Sequence, residues 1–213
     1  MAQFSRSALD KIATDLSMFD DPKIPELSLT DDKTLQNNML ASVLGAFSGT
    51  ANAEARHMMT NIVRRTSASI EAYRLGRKSA MEYVGGNRFG WIAPYFHSLT
   101  FFESCVAYSW QVCDQLNYLA KGRARVYQRG DGTAWEKLHN IYTIGTKHPF
   151  GRYVPAQHGE VPTTVWLTND GIESIDGSHL TYRELSEIIA ANNDLFYAAQ
   201  ERAVRRARSK RPA

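Results

Sequence analysis

The stretch from Trp135 to Glu187 constrains the architecture more than any other part of the chain. An amphipathic helical pattern there ends at Lys147-His148-Pro149, a loop follows, and Trp166-Leu-Thr-Asn-Asp-Gly171 opens a hairpin ahead of a last helix. Thr133-Ala-Trp-Glu136 has the form of a capping box, in which a hydroxyl and a carboxylate satisfy backbone N–H groups at a helix start. Trp135, Leu138, Ile141 and Tyr142 then recur at inward-facing helical positions. Three glycines and three prolines between Gly145 and Pro162 predict an irregular loop, and long loops of this kind are functional or disordered. Thr163-Thr-Val-Trp-Leu-Thr168 is a β-branched and aromatic run, Asn169-Asp-Gly171 reads as a tight turn, and Ile172-Glu-Ser-Ile175 as the return strand. The turn reading rests on the tolerance of Asp-Gly for positive φ. Thr181-Tyr-Arg-Glu184 is a second capping box, from which Leu185, Ile188, Ile189, Leu195 and Phe196 continue the final helix.

Upstream the pattern is helical. Leu9, Ile12, Ala13, Leu16 and Phe19 lie on one face of a short first helix, which Asp20-Asp-Pro22 stops. From Thr34 to about Val84 helical spacing persists, with a break expected in the small-residue zone Gly45 to Ala51. At 100° per residue Met58, Met59, Ile62, Val63, Ile70 and Tyr73 share one side, while Arg56, Arg64, Arg74 and Lys78 fall within an arc of roughly 80° on another. That basic stripe is either a solvated face or a phosphate track. After the Gly85-Gly86-Asn87 turn, Trp91 to Lys121 predicts a buried helix whose face is Phe96, Leu99, Phe102, Val106, Trp110, Cys113 and Asn117. Glu103 and Asp114 flank that face, about 16 Å apart along the axis, and are expected to make interhelical hydrogen bonds or ion pairs. His57 and His97 lie on polar faces without companion ligands at helical spacing.

The 213 residues are 43% hydrophobic and 22% charged, which suits one soluble domain with a full core. No apolar run is long enough to span a bilayer and no leader pattern opens the chain, so a cytoplasmic protein without membrane contact is expected. Cys105 and Cys113 sit about 12 Å apart along one helix, too far for a disulfide, and read as buried thiols. The net charge of +3 is unevenly distributed: six basic side chains and no acid follow Glu201, which leaves the preceding residues at −3. Such a tail, with Arg205 and Arg206 at its centre, is either a fraying helix end or a nucleic-acid contact. The expected architecture is mainly α: a domain over residues 1–201 with five or six helices and one small β-hairpin near 163–176, then a basic tail over 202–213.

Phe101-Phe-Glu-Ser-Cys105, then Leu138-His-Asn-Ile-Tyr142 leading to Lys147-His148, then the Trp-Leu-Thr-Asn-Asp-Gly hairpin, resemble uncharacterised bacterial relatives of the HEPN helical bundles over roughly residues 90–190. The resemblance implies a helical bundle, frequently dimeric, of toxin-antitoxin and phage-defence systems. Active HEPN members cleave RNA without a metal, using an arginine followed at four to six residues by a histidine. There arginine holds a phosphate and histidine exchanges a proton with the 2′-hydroxyl or the leaving oxygen. Arg152-Tyr-Val-Pro-Ala-Gln-His158 matches the spacing, although Pro155 opposes a continuous helix. His148 lies at the better helix end but has only Lys147 beside it. It is either a helix C-terminal cap or, like His158, a catalytic or phosphate-contacting group.

The sequence contains no phosphate loop, dinucleotide fingerprint, paired-cysteine site, His-Glu-x-x-His helix or nucleophile elbow, so neither metal nor cofactor is expected. Two function classes remain. One is an RNA-directed HEPN-like protein, a metal-independent endoribonuclease if catalytic, with Lys147, His148, Arg152 and His158 as candidate site and RNA and a second copy as partners. The other is a non-enzymatic bundle that works by oligomerisation or partner binding.

Overall fold

The computed structural model describes residues 6–29, 53–86, 91–121, 126–147, 152–154, 159–161 and 165–209; at 6–9, 53–56, 120–121, 146–147, 152–154, 159–161 and 196–209 it describes the backbone alone. Among these residues there are five α-helices: α1 (Arg6–Met18), α2 (Ala53–Gly85), α3 (Ala93–Lys121), α4 (Ala134–Tyr142) and α5 (Tyr182–Ser209). A π-helical turn, Thr143–Lys147, extends α4. The short strands are β1 (Arg152–Val154), β2 (Gly159–Val161), β3 (Val165–Leu167), β4 (Gly171–Ser174) and β5 (His179–Thr181). The zone expected to break the long helical pattern, Gly45 to Ala51, lies outside the described residues.

The core is built on α2 and α3, which run antiparallel. Tyr83 meets Tyr95 and Tyr73 meets Phe102 at ring centroid distances of 5.6 Å each, and Ser98 Oγ donates to the Gly76 carbonyl at 2.8 Å. The buried positions include Met59, Ile62, Thr66, Ser69, Tyr73, Gly76, Ala80 and Tyr83 on α2, and Tyr95, Ser98, Phe102, Cys105, Ser109, Val112 and Leu116 on α3. Both runs alternate steps of three and four, the repeat that keeps a seam facing its partner between two supercoiled helices. Small residues let the backbones approach: a Cβ on Gly76 would sit 3.0 Å from the Phe102 ring.

This corrects the expected face of α3. Phe96 is 52% exposed, and Leu99 and Trp110 are only half-buried, whereas Tyr95, Ser98, Cys105, Ser109 and Val112 line the seam. Counting apolar residues misplaces the face because serines occupy buried positions, Ser98 on the Gly76 carbonyl, while Trp110 turns toward α4. In the same way Leu195 of α5 is 53% exposed, and the buried stripe Leu185, Ile188, Ile189 continues instead through Asn192 and Asn193. Asn192 Nδ2 donates to the Ser109 carbonyl at 3.1 Å, which ties α5 to α3.

The expected hairpin is present but is part of a three-stranded antiparallel sheet ordered β3-β4-β5, with Leu167 opposite Ile172 and Ile172 opposite Leu180. The reason given for Gly171 does not hold, since its φ is not among the positive ones. It is glycine for want of space. A Cβ there would lie 2.8 Å from Thr181 Cα, 2.6 Å from His179 Nε2 and closer still to the Leu180 carbonyl oxygen. Asn169 faces away from its own turn. Its Oδ1 accepts from the backbone N–H groups of Asp20 and Asp21, each at 3.1 Å, and its Nδ2 donates to the Met18 carbonyl at 2.8 Å. α1 is thereby clipped to the sheet, helped by Trp166 Nε1 donating to Asp15 Oδ2 at 2.9 Å and by Lys11, which bridges Asp15 and Glu173.

The irregular-loop expectation for 145–162 also needs correction. β1 and β2 form an antiparallel pair within it, with Arg152 opposite Val161 and Val154 opposite Gly159. Tyr153, Val154 and Val161 favour extended backbone, but three-residue strands leave no alternation to detect. The basic tail is helical in its first part, because α5 continues to Ser209. Among the described residues no helix is long and apolar enough to cross a membrane.

Candidate functional site

The chemistry-bearing side chains that the fold brings together lie where α3 packs on α4 and its π-helical extension. Phe102 and Cys105 are fully buried toward α2, so Glu103, between them on the helix, faces another side and is half-buried. A Cβ on Gly145 would stand 3.6 Å from Glu103 Oε1 and 3.5 Å from Val165 Cγ2, which places the carboxylate over the π-turn and beside β3. No hydrogen bond or ion pair joins Glu103 to another described residue. Burial alone pushes its carboxyl above the ordinary glutamate range. The expected interhelical pairing of Glu103 is therefore corrected, because Gly145 and Val165 offer no side-chain donor; Asp114 is exposed and makes no such pair either. π-turns inside helices are rare and concentrate at functional sites. Here the turn keeps Ile144 buried beyond Leu138 and Ile141 and carries the chain to Lys147, its last residue.

One helical turn earlier on α4, His139 lies in an aromatic cluster. Its Nδ1 is 2.6 Å from Tyr127 Oη and its Nε2 3.4 Å from Thr143 Oγ1, while its ring centroid is 4.5 Å from that of Trp110. Tyr142 stacks on Trp110 at 6.2 Å with a 26° interplanar angle. Sequence reasoning saw His139 only as a member of the Leu138-to-Tyr142 motif. Its partners come from α3, from the connector and from α4 itself, so no local pattern could have assembled them.

The connector from Val126 to Thr133 is firmly held. Asp131 accepts from Gln128 N at 2.8 Å and from Thr133 N and Oγ1 at 2.9 and 2.7 Å, bonds that hold its carboxyl below the usual range. Glu136 accepts from Gly132 N at 2.9 Å and from Gly130 N, and both glycines have positive φ. The first capping box is accordingly half of what its sequence promises. Thr133 Oγ1 accepts from Glu136 N, but the Glu136 carboxylate serves the two glycines and Asp131 serves Thr133 N. The second box is complete, with Thr181 N donating to Glu184 Oε2 at 2.9 Å and Glu184 N to Thr181 Oγ1 at 3.1 Å. Glu184 also pairs with Lys137 at 2.5 Å, linking α5 to α4. An open cleft of about 620 Å3 lies beside the connector, lined by Val126, Tyr127, Gln128, Arg129 and Asp131.

The residues singled out from sequence are placed unequally. His148 and His158 lie outside the described residues, and of Lys147 and Arg152 the backbone alone is described. Arg152 is on a strand, so the arginine-to-histidine spacing from Arg152 does not sit on a helix as the family motif requires. On α2, Arg64, Arg74 and Lys78 are exposed, but Glu71 and Glu82 are exposed within the same arc, so the stripe is mixed in charge rather than a continuous cationic track. Arg56 on α2 and Arg205 and Arg206 on α5 are described by backbone alone. His57 and His97 are exposed. Both cysteines are buried with their thiols pushed up to about 12, which suits packing rather than nucleophilic chemistry. Among the described residues no group of three histidine, cysteine or acidic side chains is placed to hold a metal.

No family model, curated protein or solved structure matches the chain. The site's own geometry must carry its interpretation.

Proposed function

We propose that the chain is a HEPN-like helical-bundle protein of a bacterial toxin-antitoxin or phage-defence system that acts on RNA, with its working site at the joint of α3 and the end of α4. The observation that carries this reading is Glu103: a half-buried carboxylate without a hydrogen-bond or ion-pair partner among the described residues, over a π-helical turn that leads to Lys147 and His148. An unpaired carboxylate costs stability where it stands, and carboxyls perturbed by burial are common among proton-transfer groups. In this reading His148 exchanges a proton with the 2′-hydroxyl or the leaving oxygen, Glu103 orients it, and Lys147 or Arg152 meets the phosphate. His158, whose spacing from Arg152 is not helical, is not required.

The test is incubation of the purified protein with total RNA in EDTA, beside His148→Ala, Glu103→Gln and His158→Ala. Cleavage by the wild type and by His158→Ala is expected, with loss of about a hundredfold in His148→Ala, the scale of a positioned proton-transfer group. No cleavage by the wild type, or equal cleavage by all four, removes the ribonuclease.

One observation favours the second class of function. Trp91, Ile92 and Phe96 are 56%, 42% and 52% exposed at the start of α3, the kind of apolar exposure used for association. On that reading the protein cleaves nothing and sediments as a dimer, and Phe96→Ser returns it to the monomer.

A further inference from the structure

We propose that Trp110, Tyr127, His139 and Tyr142, with Arg129 beside them, form a stacking subsite for an unpaired base of single-stranded RNA. The proposal rests on the RNA reading above and deepens it by locating where the strand is gripped.

The four rings come from α3, the connector and α4, and neighbouring centroids lie between 4.5 and 6.2 Å apart. All four are half-buried, unlike Tyr73, Phe102 and Tyr182 of the core, which show no exposed surface. Each ring also carries a polar atom. Such rings suit a surface that is apolar on its faces and wet at its edges. Every base presents a π-face, so stacking on aromatic side chains grips single strands without reading their sequence.

The cleft supplies the remaining requirements. It opens on Tyr127, and its volume of about 620 Å3 falls within the range of small-ligand sites. Arg129 and Asp131 both line it, but they are not equivalent. Both Asp131 carboxylate oxygens accept hydrogen bonds from the connector itself, while Arg129 is exposed and makes no ion pair among the described residues. Asp131 keeps its negative charge but is held in place by these bonds, so the guanidinium of Arg129 is the group in the cleft that can turn to a phosphodiester. Tyr127 is set in place before any ligand arrives, because its hydroxyl is bonded to His139 and the following loop is tied to Asp131 and Glu136. A pre-set ring loses little freedom on binding. From His139 the helix axis runs about 9 Å to Gly145, at about 1.5 Å per residue, so a base on this platform belongs to a strand that reaches the Glu103 joint.

The test uses fluorescence anisotropy with a labelled octa-adenylate carrying 2′-O-methyl groups, which cannot be cleaved through the 2′-oxygen. Tyr127→Leu is expected to bind about tenfold more weakly, and Tyr127→Phe, which keeps the ring and loses the hydroxyl, within about twofold of the wild type. Arg129→Ala is expected to weaken binding and lower the salt dependence by about one counterion. A duplex of the same length and free AMP are expected to compete poorly. Equal binding by Tyr127→Leu with its fold intact by circular dichroism overturns the proposal. So does a duplex that binds as tightly as the single strand, or AMP that displaces the oligomer at equal concentration. If the wild type binds no RNA, both readings fall. If Tyr127→Leu binds normally while His148→Ala abolishes cleavage, only the stacking subsite falls.

Discussion

Replacing Gly171 by alanine isolates a steric requirement that no conformational preference explains. Gly171 opens β4 opposite Thr181, and its Cβ would fall within 2.8 Å of Thr181 Cα and closer to the Leu180 carbonyl oxygen. Restoring ordinary contact requires β5 to move by about 1 Å, roughly the shortfall from a 3.5–4.0 Å van der Waals separation. β5 cannot yield freely. Leu180 and Tyr182 are fully buried, Tyr182 N donates to the Asp170 carbonyl at 2.9 Å, and Tyr182 Oη donates to the Thr168 carbonyl at 3.0 Å. Overpacking costs about 1–3 kcal/mol, and one or two weakened hydrogen bonds add about 1 kcal/mol each. Gly171→Ala should therefore lose about 3–4 kcal/mol in urea titrations followed by circular dichroism, with Tm falling by about 10 °C for a chain of this size. Two controls separate space from φ. Gly177 has a φ of +81° and nothing within 4 Å of its Cβ position, so its alanine variant should lose about 1 kcal/mol. Gly145 meets only ordinary contacts, and alanine there should be neutral or stabilising by up to about 1 kcal/mol. A Gly171→Ala loss no greater than that of Gly177→Ala would refute the steric argument.

Asn169→Ala should destabilise by about 2 kcal/mol, since it removes four hydrogen bonds to the end of α1 and its connector at partly exposed positions; hydrogen exchange should rise in α1 first, and uniform acceleration across all helices would count against the clip. Glu103→Gln should raise Tm at neutral pH, with the gain shrinking as pH falls from the raised folded value to the unfolded glutamate value. The sign follows from the raised folded pKa: between the unfolded and folded values the folded chain binds more protons, so stability falls as pH rises through that window. A Glu103→Gln variant less stable than the wild type at neutral pH would mean that the carboxylate has a partner.

What was legible in the sequence is what local rules decide. The period of α1, α2 and α4, the β3-β4 hairpin and the Thr181-Glu184 box all depend on residues within a few positions of each other. The failures have tertiary causes. The face of α3 was rotated because Ser98 and Ser109, which no hydropathy count would bury, are buried at helix contacts, Ser98 on the Gly76 carbonyl of α2 and Ser109 beside Asn192 of α5. β5 escaped notice because three residues directly before a capping box carry no separate signal. Gly171 and Asn169 were assigned to their own turn, yet each is needed by a different segment. The site shows the same division. Its histidine-bearing loop was conspicuous by composition, whereas Glu103 and His139 matter through neighbours from α3, α4 and the connector. Glu103 was assigned a partner because buried carboxylates usually have one.

The clip that holds α1 bears on the order in which this chain can assemble. Asp20 and Asp21 reach Asn169 across about 150 positions, and Asp15 reaches Trp166 across 151, whereas α2 and α3 meet across a short connection. Closing a long loop is costly until the contacts it brings are in place, so the helical pair can form early and α1 docks only on a finished sheet. The same asymmetry holds in reverse: α1 is the part that can detach while the α2-α3 pair stays intact, which makes the first helix a latch rather than a beam.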